Sequence, residues 1–159
     1  MPSLKKPVAV VFDCMLFLQA TANRKSIAAR ALDLMDSGEV SLFISRQIRK
    51  EIWNVLHRQE VRERLPGITD DSVEDLFARL KKRAVFVRDV PKVFDYPRDP
   101  KDEPYLNLAI AVGATYLVSR DSDLLDLMRW DREQGRDFQR RFRHLRIIEP
   151  LAFLTELKQ

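Results

Sequence analysis

Four acidic residues, far apart in the chain, stand where open α/β proteins gather their chemistry. Asp13 closes the apolar run Val8-Ala9-Val10-Val11-Phe12, and Asp121 follows Tyr116-Leu117-Val118-Ser119-Arg120. Asp102 opens the helical-looking stretch Glu103 to Ala111, and Glu51 borders the apolar stripe of an earlier helix. In a parallel sheet the carboxyl ends of the strands share one edge, and ligands bind there. Carboxylates brought together repel one another and stay ionised only beside a positive charge, and an all-oxygen set suits a hard divalent cation. With water and a phosphate completing its shell, such an ion polarises phosphorus and lowers the pKa of bound water. The chemistry this points to is phosphodiester hydrolysis. Taken singly, Asp13 and Asp121 also suit turns, Asp102 and Ser122 helix N-caps, and Glu51 a solvated helix face. The acids converge only if the strands that carry them are parallel.

Other chemistries lose their support. Gly38, Gly67, Gly113 and Gly135 are isolated, so neither a dinucleotide fingerprint nor a phosphate-binding P-loop can be assembled. The two histidines, His57 and His144, stand near no serine in a nucleophile elbow, which argues against triad hydrolysis. Cys14 follows Asp13, whose carboxylate raises a neighbouring thiol's pKa, so it reads as a small packing residue. Asp13-Cys14-Met15 also lacks the second aspartate of one class of small-molecule phosphohydrolases, which leaves that activity as the weaker alternative.

The net charge of +4 is local in origin. Between Arg129 and Arg146 seven arginines face three acids, with Trp130, Phe138 and Phe142 interleaved. Arginine forks suit phosphates and aromatic rings stack on bases, so Arg136, Arg140, Arg141 and Arg143 are candidates to hold a single strand. The competing reading is a solvated loop with a few core aromatics.

The elements that must position these residues alternate between strand and helix. Val8–Phe12, Ser41–Ile44, Ala84–Val87, Tyr116–Ser119 and Leu145–Ile148 read as strands. A helix with Ile27, Ala31, Leu34 and Met35 inward ends near Ser37-Gly38. Another, capped by Ser45, is expected to run to about Arg64, and a third starts at Thr69 or Asp70. Asp89 to Asp102, with Pro91, Pro97 and Pro100, reads as an ordered loop. Helices over 103–112, 122–128 and 151–157 complete the pattern. This order predicts an α/β fold, three layers α/β/α around a parallel sheet of four or five strands.

At 159 residues, 45% hydrophobic and 33% charged, the chain is expected to be a single soluble domain spanning 1–159. One cysteine fits a reducing cytoplasm, the apolar run before Asp13 is short for a signal peptide, and no window approaches a membrane span.

The chain resembles PIN-domain proteins from Val8 to about Pro150, in particular the PIN-domain toxins of toxin-antitoxin systems. Two segments carry the resemblance most specifically: Arg98-Asp99-Pro100-Lys101-Asp102-Glu103-Pro104-Tyr105-Leu106-Asn107-Leu108-Ala109, and Tyr116-Leu117-Val118-Ser119-Arg120-Asp121-Ser122-Asp123-Leu124-Leu125. Phe12-Asp13-Cys14 and Ser45 to Ile52 match earlier motifs in the right order. The resemblance implies an acidic pocket that binds Mg²⁺ or Mn²⁺ and cuts single-stranded RNA. It casts Asp13, Glu51, Asp102 and Asp121 as the acidic quartet, with Asp123 and Asp99 auxiliary. It also implies a homodimer and an antitoxin partner. Where the family usually has Asp-x-Asn, this chain has Asp13-Cys14-Met15. The alternative that follows is an RNA-binding domain with impaired turnover.

Overall fold

The computed structural model describes residues 6–158. Five strands form one parallel sheet: β1 (Val8–Phe12), β2 (Val40–Ser45), β3 (Val85–Val87), β4 (Tyr116–Val118) and β5 (Arg146–Ile148), in the order β3-β2-β1-β4-β5. The strand order reverses at β1, which pairs with β2 through Val8↔Val40 and with β4 through Phe12↔Val118. That reversal creates the crevice where an open sheet binds its ligands, and Asp13 stands directly above it.

The helices are α1 (Cys14–Ala22), α2 (Ile27–Asp36), α3 (Arg46–Leu56), α4 (Gln59–Arg64), α5 (Asp70–Arg83), α6 (Glu103–Ala111), α7 (Ser122–Leu125), α8 (Glu133–Arg141) and α9 (Pro150–Leu157). They flank the sheet in a three-layer α/β/α arrangement, as the alternation predicts. β1 is apolar without alternation because both its faces are covered: Val10, Val11 and Phe12 are buried among Leu16, Phe17, Leu106, Leu117 and Phe153. No helix among the described residues is long and apolar enough to cross a membrane.

Three local expectations are corrected, and one helix, α1, has no counterpart among them. Helix α1 carries no readable periodicity because Leu16, Phe17, Leu18 and Ala20 bury most of its circumference. The helix after Ser45 does not continue to Arg64. It stops at Leu56, where Arg58 turns extended and the Arg62 Nε donates to the Leu56 carbonyl at 2.9 Å, satisfying an end that the broken helix leaves open. The stretch 122–128 divides into α7 and a 3₁₀ turn over Asp126–Met128. Finally, the arginine-rich stretch is no open loop. It contains α8, pinned by a fully buried Phe138 and by Gly135, where a Cβ would come within 2.1 Å of the Arg129 carbonyl oxygen.

Candidate metal centre

Each acid reaches the carboxyl edge of the sheet by its own local logic. Asp13 leaves β1 in extended conformation and caps α1, its Oδ1 accepting from the Leu16 N–H at 3.3 Å. Asp121 does the same beyond β4, accepting from the Asp123 N–H at 2.8 Å to start α7. Asp99 starts a 3₁₀ turn over Pro100–Asp102 by accepting from the Lys101 N–H at 3.2 Å. That turn ends on Asp102, whose side chain makes no capping bond. The turn-former reading and the chemical reading are therefore compatible: a carboxylate that caps through one oxygen still presents the other.

Carboxylate oxygens of Asp99, Asp102, Asp121 and Asp123 lie within 4.8 Å of one another. Asp13 is not one of the four but is near enough for its charge to act on Asp102. The Ser119 hydroxyl, fully buried, donates to Asp13 Oδ2 and accepts from the Asp121 N–H at 2.9 Å, so one serine registers the acids after β1 and β4 against each other. Glu51, half-buried on α3, accepts from the Tyr105 hydroxyl at 2.7 Å and is not among the four clustered acids. It is close enough to the Cys14 thiol to raise its pKa, as is Asp13.

The electrostatics follow from burial and crowding. Burial, opposed by the Ser119 and Leu16 bonds, raises the Asp13 carboxyl to about 6. Asp102 is raised to about 8, first by burial and then by the charges of Asp121, Asp99 and Asp13. Its Oδ2 is buried with no hydrogen-bond partner. An unpartnered carboxylate oxygen inside a group of four acids is unfavourable on both counts, and a hard cation relieves both. The residues present thus fit a divalent ion with oxygen ligands. Asp123 is the least available of the four, because Arg98 Nε holds its Oδ1 at 2.9 Å while reaching Asp126 at 2.8 Å. Burial, then Glu51 and Asp13, push the Cys14 thiol up to about 12, which removes it as a nucleophile at neutral pH.

Three supporting residues carried no individual signal in the sequence. Ser119 looks like the last polar residue of a strand, Tyr105 like one more core aromatic, and Asn107 like an ordinary helical asparagine. Asn107 instead holds the proline-rich loop. Its Oδ1 accepts from the Val93 and Phe94 N–H groups at 2.7 and 2.8 Å, and its Nδ2 donates to the Phe94 and Glu103 carbonyls at 3.0 and 2.9 Å.

The PIN domain family model matches residues 9–123. The chain belongs to the PIN-domain family. No curated protein matches it. PIN domains are generally metal-dependent nucleases, and the matched span contains all six acids described above. The departure of this PIN domain from Asp-x-Asn has a structural counterpart: Met15 is 48% exposed, while Ser119 and the Leu16 N–H hold Asp13. The four arginines Arg136, Arg140, Arg141 and Arg143 lie beyond the matched span, on α8 or just after it. Arg136 donates to the Trp130 carbonyl at 2.9 Å, Arg140 stacks over Trp130, Arg141 stacks over Phe142, and Arg143 is exposed. Of the aromatics there, Trp130 is 55% exposed, whereas Phe138 is core and unavailable to a base.

Proposed function

We propose that this PIN domain, acting as one unit over residues 1–159, is a metal-dependent endoribonuclease that cleaves single-stranded RNA. The observation that carries the reading is the buried, unpartnered Asp102 Oδ2 inside a group of four carboxylates at the strand-order reversal. Asp13, Asp102 and Asp121 would hold Mg²⁺ or Mn²⁺, with Asp123 and Asp99 beside them. A bound ion of this kind supplies Lewis acidity toward a phosphoryl oxygen and a lowered pKa for water in its shell.

The chain's own residues have separate tasks. Ser119 keeps the Asp13 and Asp121 carboxylates in register, so that little reorganisation accompanies binding. Glu51, oriented by Tyr105, accepts a proton from or aligns the attacking water. Arg98, beside Asp123, tempers the repulsion among the acids and offers a cation to a phosphate. Arg140 and Arg143 form a cationic flank beyond α7. The family resemblance supports the toxin half of a toxin-antitoxin pair, a cytoplasmic homodimer silenced by a small protein partner.

Incubating the chain with single-stranded RNA and Mn²⁺ should produce internal cuts that disappear with chelator and fall by at least about 100-fold in Asp121→Asn, a loss typical of removing one preorganised charge-stabilising group. Cleavage that survives both would sink the assignment.

A further inference from the structure

We infer that single-stranded RNA enters the metal centre along a groove on the other flank of the sheet, between α3 and the segment after β3, with Trp53 as a platform for a base. The inference rests on the nuclease reading for the identity of its ligand. It places the main track inside the matched PIN span rather than on the arginines of α8.

The groove is a cavity of about 590 Å³ whose walls include Arg46 and Lys50 from α3 and Arg88, Asp89 and Lys92 after β3, Lys92 being paired with Asp95 and Glu103. Its floor reaches Pro100 and Glu103, which bracket Asp102 in the chain. Arg46 and Lys50 also line a second hollow of about 390 Å³, together with Arg49, Trp53 and Phe77. Arg46 and Lys50 line both hollows.

Helical geometry explains how one element serves both ends. At 100° per residue, Arg46, Lys50 and Trp53 project as a single outer stripe, and Glu51 lies roughly 130° round the helix from it, toward Tyr105. Arg46, Lys50 and Arg88 are exposed and have no carboxylate within 4.0 Å among the described residues. On the α8 flank Arg129, Arg132 and Arg146 pair with acids and Arg136 holds a main-chain carbonyl, while Arg140 and Arg141 lie over the Trp130 and Phe142 rings and Arg143 is exposed. Unpaired cations keep their full attraction for phosphates and release counterions when they bind.

Trp53 is 44% exposed yet already fixed. Its ring packs against His57 with centroids 4.3 Å apart and takes the edge of Phe77 at 5.1 Å. His57 Nδ1 is itself 2.7 Å from the Trp53 carbonyl oxygen. A ring held in place loses little freedom when a base stacks on it, and stacking tolerates any sequence. Basic side chains on both walls complement an anionic strand and would repel a basic partner.

The test is equilibrium binding of the full chain to a fluorescein-labelled 12-nucleotide RNA of mixed sequence, in chelator so that cleavage plays no part, followed by anisotropy over a series of salt concentrations. Arg46→Ala with Lys50→Ala should weaken binding at least about tenfold and reduce the salt slope by about 1.4, the value for two lost single-strand phosphate contacts. Trp53→Ala should weaken it about tenfold with the slope unchanged, and Trp53→Phe should recover most of the loss. Lys81→Ala with Lys82→Ala, just before the amino end of β3, should bind like the original chain. Wild-type affinity and slope in both the Arg46/Lys50 and Trp53 variants would overturn the proposal. So would absence of RNA binding by the unaltered chain, or unchanged RNA binding with loss of self-association in Trp53→Ala, which would make the stripe a protein-docking face. Absence of metal-dependent cleavage alongside the expected binding changes would instead count against the nuclease reading alone.

Discussion

At the scale of single residues, the centre depends on one buried hydroxyl. Ser119 donates to Asp13 and accepts from the Asp121 main chain, so it couples two acids that the sequence separates by more than a hundred positions. Ser119→Ala leaves the Asp13 carboxylate buried with one partner fewer. Metal affinity, read by calorimetric titration with Mn²⁺, should fall by about 10–100-fold, the range for losing a residue that orients a metal-binding carboxylate. Ser119→Thr should lose less, because it keeps the hydroxyl. Equal loss in both variants would point to packing rather than to the hydrogen bond.

At the scale of elements, the proline-rich loop over residues 89–99 lacks a sheet or helix of its own and relies on the Asn107 side chain from α6. Three hydrogen bonds between one amide and the loop, to the Val93 and Phe94 N–H groups and the Phe94 carbonyl, replace the ladder that the loop does not have. Asn107→Ala strands two main-chain N–H groups and the Phe94 carbonyl, and should cost about 2–4 kcal/mol by urea denaturation. Proteolysis near Val93 should quicken in the same variant. The same loop carries Arg98 and Asp99 to the acid group, so metal affinity should fall along with stability. A wild-type denaturation midpoint would show that the loop is held by Phe94 and Tyr96 packing instead.

At the scale of the whole molecule, the acid group makes stability depend on pH in an unusual direction. Burial first, and then the neighbouring carboxylates, raise the folded-state pKa of Asp13 to about 6 and of Asp102 to about 8, above the ordinary aspartate range. A carboxyl raised in this way holds its proton after the unfolded chain has released its own. Its contribution is complete below about 4 and is lost as pH rises through the folded value. The metal-free protein should therefore lose stability between about pH 4 and pH 8, and Asp102→Asn should remove most of that slope. Mn²⁺ competes with those protons, so the rise in melting temperature on adding it should grow from pH 6 to pH 8. Calorimetric scans with and without chelator measure both. A flat metal-free profile would contradict the burial of Asp102.

The sequence by itself determined the layered α/β class, the five strands to within a residue or two, and the helix starts at Ser45 and Thr69, because strand runs and caps are local patterns. It also marked the acids, since strand-end and helix-start positions can be read without knowing their neighbours. Tertiary structure decided which of them meet. Asp99, Asp102, Asp121 and Asp123 form the tight group, Asp13 joins through Ser119, and Glu51 is outside that group with Tyr105 as its hydrogen-bond donor. It also decided that Phe138 is core and Trp53 a surface ring, because exposure depends on what packs against a side chain and not on its type. Distances between groups far apart in sequence arise from strand pairing and from helices crossing the sheet, and no local spacing encodes them.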